Sequence, residues 1–143
     1  MSKLSERLKE YMQEHELSQV KLSELTGIKN TNISDFLVGN HLPSYENFIR
    51  LLYFFNCSAD YLLGLVDLPT EETLREVPPF HLQLRRLLKE HGVSQGKLQR
   101  TLPVSSSGVY AWVSGKSNPT LPSLIRLAEY FDCSVDLLIG RIR

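Results

Sequence analysis

The sequence predicts an all-α chain made of two tandem five-helix units, and three observations predict it. The chain matches itself without a gap at a shift of 76 residues, so that Gln19 falls on Gln95, Gly39 on Gly115, Pro43 on Pro119, Cys57 on Cys133 and Gly64 on Gly140. His15/His91, Ser18/Ser94, Lys21/Lys97, Leu22/Leu98, Arg50/Arg126, Phe55/Phe131, Ser58/Ser134 and Asp60/Asp136 keep the same register, which marks an internal duplication. Apolar residues recur at steps of three and four, the helical period, and no segment alternates as a strand would. The repeated unit is roughly 60 to 65 residues long, a size at which a domain can fold alone.

The first helix of each unit carries one apolar stripe, Leu4, Leu8, Tyr11 and Met12, or Phe80, Leu84, Leu87 and Leu88. The second opens at Ser18 or Ser94, each placed to cap an orphan amide, with Leu22 or Leu98 turned inward one turn later. A short third helix keeps Ile33, Phe36 and Leu37, or Val109, Trp112 and Val113, on its inner face and stops at Gly39 or Gly115. The fourth runs from about Tyr45 to Phe55 and from about Pro122 to Phe131, where proline suits a first helical position. The fifth follows Ser58 or Ser134. The units are therefore 1–66 and 80–143. Residues 67–79, "DLPTEETLREVPP", form an acidic proline-containing linker whose centre has room for a turn or two of helix.

Composition fits a globular chain, with 42% hydrophobic and 22% charged residues. The formal net charge of zero hides an asymmetry. Residues 80–143 hold 9 basic and 4 acidic side chains, residues 1–66 hold 6 and 8, and the linker holds 1 and 4. The second half is the better suited to a phosphate backbone. Cys57 and Cys133 sit in apolar surroundings with no metal-ligand spacing, which predicts core fillers in a reducing compartment. No apolar run approaches a membrane span and the N-terminus has no signal-peptide core, so a cytoplasmic location is expected.

Two stretches, "LSQVKLSELTGIKNTNISDFLVGNHLP" and "VSQGKLQRTLPVSSSGVYAWVSGKSNP", with the tails "SADYLLG" and "SVDLLIG", resemble the Xre/Cro-like helix-turn-helix family of phage and bacterial repressors. The resemblance covers both units and implies tandem lambda-repressor-like domains that bind double-stranded DNA. In such an arrangement the second helix crosses the DNA backbone while the third presents its outer face to base edges in the major groove. It implies base contacts from Asn30, Thr31 and Asp35 in the first unit and from Ser106, Ser107 and Ala111 in the second. Asn30 suits a two-pronged grip on adenine, and the Thr31 methyl suits thymine. Phosphate contacts are implied at Gln19 and Gln95, with Lys29, Asn32, Ser34, Asn40, Ser105, Tyr110 and Lys116 around them. It also implies pairing through the fifth helix, with Ala59, Tyr61, Val135 and Leu137 outward. Tyr53, which replaces Glu129 at an outward position, adds a surplus aromatic that marks an interface. The pair is either an intramolecular pseudo-dimer or a homodimer that reads an inverted repeat.

Two departures matter. The ion pair that many relatives place between the first and third helices is replaced here by Met12 with Leu37, and by Leu88 with Val113. Gly27, where the family turn requires positive φ, is matched by Pro103, which cannot supply it. His15 and His91 read as exposed turn residues, and Trp112 as core. No Ser/His/Asp set, metal cluster or phosphate-cradling glycine loop is present, so no enzyme, cofactor, metal or small-molecule ligand is expected. A DNA-binding transcriptional regulator, acting as a repressor, is the leading expectation. A protein-interaction module that has lost DNA binding in one or both units is the alternative, suggested by the acidic first unit and Pro103.

Overall fold

The structure is a computed structural model that describes residues 2–102, 104 and 106–143, and the side chains of all of these except Ser2, Ser106 and Ser107. The described residues form helices and turns with no strand. Contacts divide the chain into Met1–Glu71 and Glu72–Arg143.

In the first unit the helices are α1 (Ser2–Glu14), α2 (Gln19–Thr26), α3 (Asn30–Val38), α4 (Tyr45–Phe55) and α5 (Ala59–Leu62). In the second they are α6 (Phe80–His91), α7 (Gln95–Thr101), α8 (Ser106–Ser114), α9 (Leu121–Tyr130) and α10 (Val135–Ile139). Their starts follow the sequence logic closely. Ser18, Ser44 and Ser58 accept from the amides of Lys21, Asn47 and Tyr61, and Ser94, Thr120 and Ser134 from those of Lys97, Ser123 and Leu137. Each such cap contributes about 1 kcal/mol to a helix too short to persist alone. The ninth helix opens at Leu121, one residue before the expected Pro122.

The core of each unit is what the apolar stripes predict. Leu4, Leu8, Leu22, Ile33, Phe48, Leu51 and Leu52 are essentially inaccessible in the first, and Leu84, Leu98, Val109, Leu124 and Leu127 in the second. Met12 and Leu88 are buried, and Leu37 and Val113 half-buried, so apolar side chains occupy the positions of the family ion pair. Polar ties reinforce the same junction differently in the two copies. Ser5 Oγ donates to the Phe36 carbonyl at 2.6 Å, whereas Arg85 Nε donates to the Val113 carbonyl at 2.8 Å. Both join the first helix of a unit to the end of its third.

Several expectations are corrected. The centre of residues 67–79 forms no helix, and its latter part belongs to the second unit. Arg75 N donates to the Arg141 carbonyl at 2.7 Å, and Arg141 Nη1 donates to the Arg75 carbonyl at 2.8 Å. Ala59 and Val135, expected to face outward, have no accessible surface because the fifth helix opens by packing its first residue inward. His15 and His91 are exposed, as expected, but not idle. Their Nδ1 atoms donate to the carbonyls of Tyr11 and Leu87, and their rings pack on Phe55 and Phe131 with centroids 5.2 and 5.0 Å apart. The duplication has kept a histidine-on-phenylalanine contact that closes the end of the first helix. Pro103 lies outside the described residues.

Left-handed backbone recurs at matched positions. Asn56 and Asp132 (φ 49° and 52°) use the residue types that tolerate it, but Glu16 (φ 52°) stands where the second unit has Gly92 (φ 62°). Glu16→Gly is expected to stabilise the first unit by about 1 kcal/mol by removing that strain, read as a higher urea midpoint. Burial pushes the Tyr45 phenol well above its ordinary value of 10.0. The folded state therefore holds the phenolic proton more tightly than the unfolded state. Its contribution is complete below about pH 10 and is lost as the pH rises further. Urea melts at about pH 9 and about pH 11 should show a fall in stability that Tyr45→Phe reduces.

Candidate nucleic-acid interface

The turn between α2 and α3 is built from three residues whose conformations are individually fixed. Gly27 adopts φ +79°, and a Cβ there would meet nothing within 4 Å, so backbone conformation alone demands glycine. Ile28 is buried, which anchors the turn to the core. Ser23 Oγ donates to the Ile28 carbonyl at 2.5 Å and the Ile28 amide donates to Thr26 Oγ1 at 3.2 Å. Lys29 then supplies its carbonyl to the amides of Asn32 and Ile33 and starts α3.

This turn places the polar side of α3 outward. Asn30 and Thr31 are exposed, while Ile33 and Phe36 are buried behind them. Gln19, at the start of α2, donates from Nε2 to Asn30 Oδ1 at 3.1 Å and to the Asn30 carbonyl at 3.3 Å. One side chain thus bridges the first residues of both helices. A carboxamide oxygen has two lone pairs, so Asn30 Oδ1 can keep this bond and accept a second from a base. Asn32 and Ser34 are half-buried, and Lys29 and Asn40 are exposed. Asp35, half-buried, has Oδ2 3.5 Å from Nδ1 of His41, a residue the sequence reading passed over. No spacing rule pairs these two; the stop at Gly39 (φ 82°) swings the chain back toward α3 and brings them together.

The second unit presents the equivalent face with different chemistry. Leu102 leaves α7 in an extended conformation (φ −84°, ψ 140°), and its buried side chain anchors this exit. Ser105 lies outside the described residues, as do the side chains of Ser106 and Ser107, although the latter two begin α8. Ala111 and Gln95 are half-buried. Tyr110 is 50% exposed, and Lys116 Nζ stands 5.2 Å from the centre of its ring, a cation–π contact that ties the residue after the helix stop to the helix face. The family ion pair is absent from both faces, yet Trp112 and Phe36 are buried beneath them.

Of the expected pairing residues, only Tyr53 stands well out, at 41% exposure. Tyr61 is half-buried because the Arg7 guanidinium lies 3.8 Å from its ring centre. Leu137 is half-buried beside Gln83, whose Nε2 donates to the Leu137 carbonyl. No described helix is long and apolar enough to cross a membrane.

Comparison with known families agrees with this geometry. Residues 5–68 match a family model described as helix-turn-helix domain, and residues 84–138 match a second, described as helix-turn-helix. No curated protein and no solved structure matches the chain. Gln19→Ala is expected to leave stability within about 0.5 kcal/mol, because the two bonds it removes are exposed. It should nonetheless broaden or shift the Asn30 side-chain amide signals in an NMR spectrum, since Gln19 is what holds that group.

Proposed function

Because the chain is a tandem pair of Xre-type helix-turn-helix domains, we propose that it is a sequence-specific DNA-binding transcriptional regulator that represses by occupying its site. In this reading α3 and α8 each enter a major groove. The observation that carries it is the fixed turn from Gly27 to Lys29, which holds exposed Asn30 and Thr31 beside Gln19 on a helix whose back is buried at Ile33 and Phe36. A solvated surface has no need of a turn secured by a buried isoleucine and two hydroxyls. The two units divide the work. Asp35 accepts but cannot donate as a carboxylate, so it favours a base edge that donates, such as cytosine N4, and gives the first unit selectivity. The second unit, with Lys116, Tyr110 and its excess of basic residues, supplies attraction to phosphate. Pairing of two chains through the Tyr53 surface would direct the protein to an inverted repeat.

A second reading rests on the acidic first unit and on Asp35. A carboxylate on the reading face repels phosphate, and such a unit serves equally as a docking surface for another protein.

Selection of genomic fragments by the purified chain separates these readings. Wild type should enrich one motif. Asn30→Ala with Thr31→Ala should erase specificity at about two positions, each at a cost of about 1 to 3 kcal/mol. Ser106→Ala with Ser107→Ala, made separately, tests the second unit. Lys116→Ala should weaken binding evenly across sequences and lower the salt slope by about 1. Absence of any enriched motif at low salt would give the lead to the docking reading.

A further inference from the structure

The duplication has emptied one place in the second unit that the first unit fills. In the first unit the Arg7 guanidinium stacks on the Tyr61 ring at 3.8 Å, donates to the Tyr61 carbonyl at 3.0 Å and reaches the Val66 carbonyl at 3.3 Å. Tyr11 meets the same ring edge-on at 6.1 Å. At the shift of 76, Arg7 becomes Gln83, Tyr11 becomes Leu87 and Tyr61 becomes Leu137. Gln83 keeps only the bond to the carbonyl of the fifth helix, at 3.1 Å, and both aromatic rings are gone.

What remains beside α6 is a hollow of about 500 Å³. That lies within the ~300 to 1,000 Å³ of small-molecule sites. Leu82, Leu87, Leu137 and Ile142 make its apolar wall. Arg75, Glu76 and Arg143 also line it, while Arg86 is already held by Glu90 at 2.9 Å. The first unit shows which shape fits this place: a planar ring under a guanidinium. Arg75 and Arg143 bring guanidinium donors suited to an anionic group, and they also line an adjoining hollow with Glu72.

We propose that this hollow is a ligand site for a small aromatic carboxylate. Its ring takes the place that Tyr61 and Tyr11 fill in the first unit, and its carboxylate meets Arg75 and Arg143. The site requires nothing of DNA binding and stands or falls apart from it. It also departs from the sequence-based expectation of no small-molecule ligand.

Titration of the full ¹⁵N-labelled chain with phenylacetate tests it. The expected result is saturable shifts confined to the amides of residues 82–91 and 137–143, with Kd of about 1 mM or tighter. Benzyl alcohol, which has the ring without the carboxylate, should bind about tenfold more weakly. Gln83→Arg with Leu137→Tyr rebuilds the first unit's stack and should abolish the shifts. Should that pair fail to fold, Leu82→Glu, at a 49% exposed position, repels the carboxylate at the mouth and should weaken binding about tenfold. Shifts that never saturate, or that persist unchanged in the variants, would overturn the site, and equal binding of benzyl alcohol would overturn the carboxylate.

Discussion

Each outer face of this chain depends on burying the back of a helix too short to stand alone. The nine residues of α3 are held because Ile33 and Phe36 are packed out of reach of water, and those of α8 because Val109 and Trp112 are. Full burial of such side chains contributes about 1.5 to 3 kcal/mol each, which offsets a nucleation cost that so short a helix cannot recover by itself. The first helix of each unit provides the opposing surface. A tie to a carbonyl at the end of the third helix then fixes the axial position of that helix as packing alone would not. Rotation of α3 by one residue would put Asn30 against the core and Ile33 in water. The apolar contact and the outward polar set are one constraint seen from two sides.

The two copies show which parts of that constraint are strict. Caps, apolar stripes, the left-handed residues before the fourth and fifth helices and the histidine on phenylalanine recur at the 76-residue shift. The tie between first and third helices recurs in role but not in residue: Ser5 in one unit, Arg85 in the other. The family ion pair recurs in neither. A buried charge pair is often matched in stability by apolar packing, so its replacement by Met12 with Leu37 and Leu88 with Val113 leaves the fold intact. What the junction needs is contact and one directional bond, and several side chains can supply both.

Most of the fold was legible because the signals are local. A serine three residues before an amide donor, apolar residues at steps of three and four, and a glycine at a helix stop each act within one turn of chain. Features that failed to show were those made by distant residues. The inward placement of Ala59 and Val135 depends on how the fifth helix meets the first, and the attachment of Arg75 to Arg141 joins residues 66 apart. On the outward face of α3, the bond between Gln19 and Asn30 was not legible, and His41 beside Asp35 had no pattern to announce it. The hollow beside α6 was visible only as a difference, since no residue in it is unusual until compared with the residue 76 positions earlier.

That difference also says where divergence after the duplication was free to act. Ser34 became Tyr110, Asp35 became Ala111 and Asn40 became Lys116 (or the reverse), three changes on one face with the buried residues between them unaltered in character. Together they add two charges toward the positive, of which the change from Lys29 to Ser105 takes one back. Under the proposed function such a change does not alter whether a helix fits the groove, since its back is unchanged. It alters the balance between long-range attraction and discrimination at contact. A face with a carboxylate is disfavoured on every DNA sequence except where a donating base edge meets it, so it lowers non-specific affinity more than specific affinity. A face with lysine and tyrosine raises both. Joined in one chain, the attraction of the second raises the effective concentration of the first at the DNA, which lets a weakly bound but selective unit govern where the protein rests.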